Sequence, residues 1–133
     1  KIGKEKIGKY EEFMDAVEST ISASDVKIEG DTLYCKLTER DKFRELLGVD
    51  KLVYQTRYIF RNGLITEVVY SLTPESGQLL SSASKPFTQW VSERHMQDWD
   101  SLLNQDGFVY NKETAQKWLT LAQEWRDTTQ MNK

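Results

Sequence analysis

The sequence predicts an α+β fold: a curved antiparallel sheet of four or more strands packed with helices. Three observations predict it. The stretch YIFRNGLITEVVY (58–70) sets two apolar-rich runs on either side of Asn62-Gly63, and a type I′ hairpin turn needs φ > 0 at both central positions, which Asn-Gly supplies. A second stretch, DVKIEGDTLYCKL (25–37), repeats the pattern around Gly30-Asp31. The last third carries apolar residues at helical spacing and holds all four tryptophans.

The elements follow in order. In GKEKIGKYEEFMDAVESTI (3–21), Ile7, Tyr10, Phe13, Met14, Val17 and Ile21 fall on one face of a helix, despite Gly8. The Gly30-Asp31 hairpin sets Ile28 against Leu33 and Val26 against Cys35 on one face. Lys27/Tyr34 and Asp25/Lys36 fall on the other, with charges matched across strands. ERDKFRELLG reads as a short helix closed by Gly48. A long hairpin runs from about Lys51 to Thr73, and Pro74 ends it by removing a backbone donor. Residues 75–85 read as a polar, small-residue connector, and Pro86 suits the first turn of a helix carrying Phe87, Trp90 and Val91. A continuation or second helix carries Met96, Trp99, Leu102 and Leu103, and Asp106-Gly107 breaks it. Asn111 caps a last helix whose stripe is Ala115, Trp118, Leu119, Ala122 and Trp125. The tryptophans are expected to anchor these helices on the sheet.

Alternation sorts the long hairpin onto two faces. With Asn62-Gly63 as the turn, Phe60 faces Ile65, Tyr58 faces Glu67 and Tyr54 faces Ser71. Leu52, Tyr54, Thr56, Tyr58 and Phe60 then share a face with Ile65, Glu67 and Val69. Val53, Gln55, Arg57 and Ile59 share the other with Thr66, Val68, Tyr70 and Leu72. The first face is the expected wall of an apolar pocket closed by helices, lined by some of Tyr54, Tyr58, Phe60, Val69 and Trp90. The second, with Val53, Arg57, Ile59, Val68 and Tyr70, mixes apolar area with arginine and aromatic anchors and is the expected homodimer interface.

Composition narrows the function classes. One domain over residues 1–133 is expected, its helical C-terminal part running from about 86 to 126. A chain of this size needs no disulfide staple. Cys35 is alone, which fits a reducing, cytoplasmic setting without requiring one, and it reads as a buried, inert thiol. A net charge of −3 and a pI near 5.3 argue against nucleic acid as the main partner. No apolar run approaches the ~20 residues of a membrane-spanning helix. A single histidine, His95, leaves no zinc set, and no nucleotide-binding or nucleophile motif occurs, so no cofactor or metal is expected. His95 reads as a helix-surface or helix-junction residue.

In its element order the chain resembles the nuclear-transport-factor-2-like superfamily, with its cone-shaped, cystatin-like α+β fold. GKEKIGKY is similar to that family's helix start, and TRYIFRNGLITEVVY to its aromatic strand, tight glycine turn and return strand. The resemblance is closer to uncharacterised bacterial members with a Trp-rich tail, here PFTQWVSERH and FVYNKETAQKWLTLAQEWR. It spans most of the chain. It implies sheet-to-sheet pairing of two copies, and a helical hairpin ahead of GKEKIGKY that the sequence lacks. Either the chain is partial or the C-terminal helices cover the opening instead, and Lys1 in place of an initiator Met favours a partial or trimmed chain.

The family includes isomerases, cyclases, hydrolases and non-enzymatic proteins, so fold alone leaves function open. Two readings stand. One is a non-catalytic module that encloses a small apolar ligand or pairs with another chain. The other is a cofactor-free isomerase, cyclase or hydrolase, with Glu67 as base and Tyr58 as phenol donor. A buried Glu67 lining a cavity with Tyr54 and Tyr58 favours the enzyme, and an exposed Glu67 favours the module.

Overall fold

In the computed structural model, which describes residues 4–104 and 107–131, both turn residues of the long hairpin have positive φ, +54° at Asn62 and +76° at Gly63. The hairpin joins β3 (Leu52–Arg61) to β4 (Leu64–Leu72). β1 (Thr20–Glu29) and β2 (Thr32–Arg40) form the other hairpin, and the four strands make one curved antiparallel sheet in the order β1-β2-β3-β4. The chain is α+β.

Register departs from simple alternation in both hairpins. Arg61 faces Leu64 and Phe60 faces Ile65 as expected, but the next pair is Ile59 with Glu67. Thr66 is the extra residue of a bulge, and its hydroxyl donates to the Ile59 carbonyl at 3.2 Å. One added residue moves every later side chain of β4 to the opposite face. Tyr58 therefore faces Val68, Thr56 faces Tyr70 and Tyr54 faces Leu72, while Arg57 faces Val69. In the first hairpin Ile28/Leu33 and Lys27/Tyr34 pair as expected, but the register then slips at Asp25-Val26, where Asp25 has φ +53°. Val26 and Asp25 thus lose Cys35 and Lys36 as direct opposites, although the Asp25 carboxylate still reaches Lys36 Nζ at 3.5 Å.

The first helix, α1 (Lys4–Ala16), stops short of the expected Ile21. Glu18 turns into the left-handed region at φ +56°, and the β-branched Thr20 and Ile21 pair with Arg40 and Glu39 instead. α2 (Lys42–Leu46) is closed by Gly48 at φ +92°. The segment expected to be a connector is helical: α3 runs Pro74–Arg94, with Pro86 inside it. Its start lies where a cap exists. Thr73 Oγ1 accepts the Ser76 N–H at 3.3 Å and Pro74 needs no donor at the first position. Ser76 Oγ in turn accepts the Val53 N–H at 2.9 Å, tying the helix to β3. The helical part thus begins at residue 74 and not near 86. α4 (Met96–Leu102) follows, and Leu103–Asn104 pairs with Gly107–Phe108 as two short strands, β5 and β6. Asp106, half of the expected break, lies outside the described residues. α5 (Lys112–Met131) is capped as read, the Thr114 N–H donating to Asn111 Oδ1 at 2.8 Å.

The core is helical. Leu47, Phe87, Val91, Leu102, Trp118, Leu121 and Ala122 form its buried cluster, with Phe13, Phe43, Trp90, Trp99 and Trp125 packed against it. Trp118 meets Phe43 at 5.5 Å and Phe87 at 5.9 Å between ring centroids. Among the described residues the tryptophans pack in the helical core, and Trp118 also meets Phe108 of β6. Leu121 joins the buried face that sequence spacing assigned to Leu119, which is only half-buried.

Candidate functional site

The sequence around α2 builds an ion cluster at the end of the sheet. Asp41 leaves β2 in an extended conformation and becomes the N-cap of α2, its Oδ1 accepting the Arg44 N–H at 2.7 Å. One helical turn on, the Arg44 guanidinium comes back over the cap. Nη1 donates to Asp41 Oδ2 at 2.8 Å and also to Glu39 Oε1. Glu39, on β2, accepts two further long bonds, from Tyr54 OH at 3.4 Å and Ser19 Oγ at 3.5 Å. The Asp41 and Glu39 side chains are 3% and 8% exposed, against 29% for Arg44. Two almost buried carboxylates therefore share one guanidinium nitrogen, a geometry stable only because each charge keeps its partner.

Protonation follows from this geometry. Burial works against the Arg44 charge, but Asp41 and Glu39 more than offset it and raise its pKa. Burial, with Glu39 alongside, pushes the Tyr54 phenol up to about 12. Tyr10 is raised as well, by burial and then by Glu39. Both phenols keep their protons at neutral pH.

Asp41 and Arg44 line one wall of a cleft of about 390 Å³. Its other walls are apolar: Phe13, Met14 and Val17 from α1 and its end, Leu80 and Phe87 from α3, and Trp118 from α5. Gly77, Ser81 and Ser84 also line it, so the small residues that made α3 look like a connector leave the room that the cleft occupies. Tyr110 stands at its edge, in contact with Phe13 at 5.0 Å and Tyr10 at 5.2 Å.

The sites expected from the sequence are not assembled in this way. Glu67 is exposed on β4 opposite Ile59, and the Thr66 bulge places it on the other face from Tyr58. The base and its donor are separated. Of the expected pocket wall, Tyr54 reaches Glu39, while Tyr58 and Phe60 are half-buried further along the sheet. Val69 lies on the opposite face, and Trp90 packs in the helical core beside Phe87 and His95. None of the five lines the cleft, which opens among helices and not between helices and sheet. The expected dimer surface is split by the same bulge: Val53, Arg57 and Ile59 share one face with Val69, whereas Val68 and Tyr70 join Tyr54 and Tyr58 on the other. Tyr54 and Tyr70 accordingly touch edge-on at 6.0 Å.

His95 sits at the junction of α3 and α4 against Trp90, with ring nitrogens 3.6 Å from Asp98 and 3.4 Å from Glu124. Cys35 is buried and unpaired. Among the described residues no group of histidine, cysteine and acidic side chains could hold a metal ion, and no helix is long and apolar enough to cross a membrane.

Sequence reasoning missed Glu39, Asp41 and Arg44. The signal was present for two of them: an Asp preceding KFREL is an N-cap, and Arg44 three positions on lies over it. Glu39 becomes legible only once the strand register is known. Compared with protein-family models, with curated proteins and with solved structures, the chain gives no match.

Proposed function

We propose that this chain is a non-catalytic binding module that takes a small, largely apolar molecule into the helical cleft. The carrying observation is the cleft itself, mostly apolar and lined on one wall by Asp41 and Arg44. Its volume falls within the roughly 300–1,000 Å³ of small-molecule pockets, which pair apolar walls with a few placed polar groups. Catalysis is the less supported reading. Glu67 is exposed and has no phenol opposite it, and Glu39 is committed to Arg44. A fluorescent apolar probe such as Nile red tests the reading. The probe should bind the unmutated protein, and Ser84→Trp, which fills the cleft from α3, should abolish binding with the circular dichroism spectrum unchanged. Equal binding by the filled variant would refute it.

A homodimer is the second reading, favoured by one observation. The face of the sheet bearing Tyr54 and Tyr58 also carries the exposed Ile21, Ile28, Val68 and Tyr70. Thr56 Oγ1 is buried on that face without a hydrogen-bond partner among the described residues. Exposed apolar side chains spread over one sheet face are a feature of interaction surfaces, and a two-fold pairing would lay each copy's face on the other's. Sedimentation equilibrium should give a dimer that Val68→Asp with Tyr70→Ser converts to monomer. A monomer at high concentration for the unmutated protein would exclude it.

A further inference from the structure

We infer that the cleft recognises an uncharged carbonyl oxygen at one end of an apolar body, held by the open edge of the Arg44 guanidinium. The inference rests on the reading of the cleft as a binding site and adds the polar group that its ligand carries. Arg44 lines this cleft and not the neighbouring one, where Arg40 and Lys42 stand beside Asp41. At 29% exposure its side chain is far more open than those of Asp41 and Glu39, at 3% and 8%. Both carboxylates bind the same nitrogen, Nη1. Among the described residues, Nε and Nη2 make no hydrogen bond. Neither atom is buried, since Thr56 Oγ1 is the one buried side-chain nitrogen or oxygen without a partner among the described residues. The cleft wall therefore carries two accessible guanidinium nitrogens that the protein leaves unused.

Guanidinium geometry makes this edge a donor site. Nε–H and one Nη2–H point in parallel along one edge of the planar group, away from Nη1. Glu39 and Asp41 hold the group from the Nη1 side, so little freedom is lost when a ligand engages the other edge. Asp41 offers no comparable acceptor, because Oδ1 takes the Arg44 N–H and Oδ2 takes Nη1 on an almost buried side chain. An ammonium, which only donates, would thus meet donors. A carboxylate can accept, but it would be the third negative charge around one guanidinium. Arg40 and Lys42 do not change that balance, since Glu18 and Glu45 line their cleft in equal number. An uncharged carbonyl accepts without the repulsion, and a charged donor binds it more strongly than a neutral donor would. The serine hydroxyls of α3 on the cleft wall donate and accept alike, so they favour none of the three.

Three probes test this: methyl decanoate, decanoate and decylammonium, each titrated below its solubility or micellar limit against bound Nile red. Arg44→Lys keeps a cation for Glu39 and Asp41 and the backbone N–H that Asp41 caps, but it removes the parallel pair of donors. It should weaken methyl decanoate by about tenfold or more and decylammonium by less than about twofold, the second result showing that the cleft is intact. Decanoate should lose less than methyl decanoate, and a greater loss for decanoate would overturn the preference for an uncharged group. An unchanged affinity for methyl decanoate, or a loss matched by decylammonium, would overturn recognition by Arg44 and leave the cleft as a binding site. A second measurement needs no variant. The C=O stretching band of methyl decanoate bound to the unmutated protein should lie below its position in hexane, because accepting a hydrogen bond weakens the carbonyl bond. A band at the hexane position would overturn the inference by itself. Failure of all three probes to displace Nile red from the unmutated protein would overturn the binding-site reading as well.

Discussion

The helical end of the molecule and the open sheet spend similar side chains in opposite ways. At the helical end, Phe87 is 1% exposed and Trp118 closes on Phe43, Phe87 and Phe108. On the sheet, Ile28 and Tyr70 are 69% and 67% exposed although their strands, the two edges of the sheet, are each paired along one side. Backbone pairing holds the sheet together, and side-chain burial holds the helices. Apolar residues on the edge strands are therefore no guide to where the core lies in this chain, whereas Leu52 on β3 is fully buried. That follows from what each element needs: a ladder satisfies its own N–H and C=O groups, whereas an amphipathic helix gains most of its stability from packing its stripe.

The largest effect should come from cutting the core. Phe87→Ala should cost about 3–5 kcal/mol, the usual range for deleting a buried ring. Ile28→Ala and Tyr70→Ala should each cost under about 1 kcal/mol in the monomer, because exposed side chains lose little on truncation. Urea denaturation of the three variants gives the contrast directly, and equal losses would break it. Arg44→Met comes next. It leaves Glu39 and Asp41 buried without their cation and should cost about 2–4 kcal/mol, below a fully buried pair because Arg44 is partly exposed. Added salt should change that loss little, since the pairs are mostly shielded from solvent. Asn111→Ala removes the acceptor for the Thr114 N–H and should cost about 1 kcal/mol, recovered by Asn111→Ser or Asn111→Asp.

The smallest effect is confined to alkaline solution. The folded state raises the Tyr54 pKa to about 12 from an unfolded value of 10.0. A raised phenol pKa means that the folded state binds the proton more tightly, so this stability is fully present below pH 10 and is lost as pH rises towards 12. Thermal melts at neutral pH and near pH 11 should show a smaller alkaline drop for Tyr54→Phe than for the unmutated chain. Identical drops would mean that Tyr54 is not the group responsible.

Much of the fold was legible from local chemistry. Asn62-Gly63 and Gly30-Asp31 placed both hairpins, Gly48 closed α2, and Asn111 opened α5, because each depends on φ or on a cap within a few residues. The helix over residues 75–85 was hidden by serines and a glycine whose smallness serves the cleft, and its start rests on Ser76 accepting from Val53, 23 positions away. The faces of the long hairpin were hidden for a different reason. A hydroxyl, Thr66, with no pattern signal of its own bulges β4 and exchanges the faces, taking Glu67 from Tyr58 and bringing Tyr70 to Tyr54.

The sequence by itself determined the α+β class, both turns, the caps at Gly48 and Asn111, and the apolar stripe of α5, since turns, caps and periodicity act over one or two helical turns of chain. Only the tertiary structure decided which face each β4 side chain occupies, that the tryptophans pack among the helices, and that Glu39 meets Asp41 and Arg44, two residues of the cleft wall. Those outcomes depend on register and on which surfaces are buried together, and a single slip of one residue reverses them.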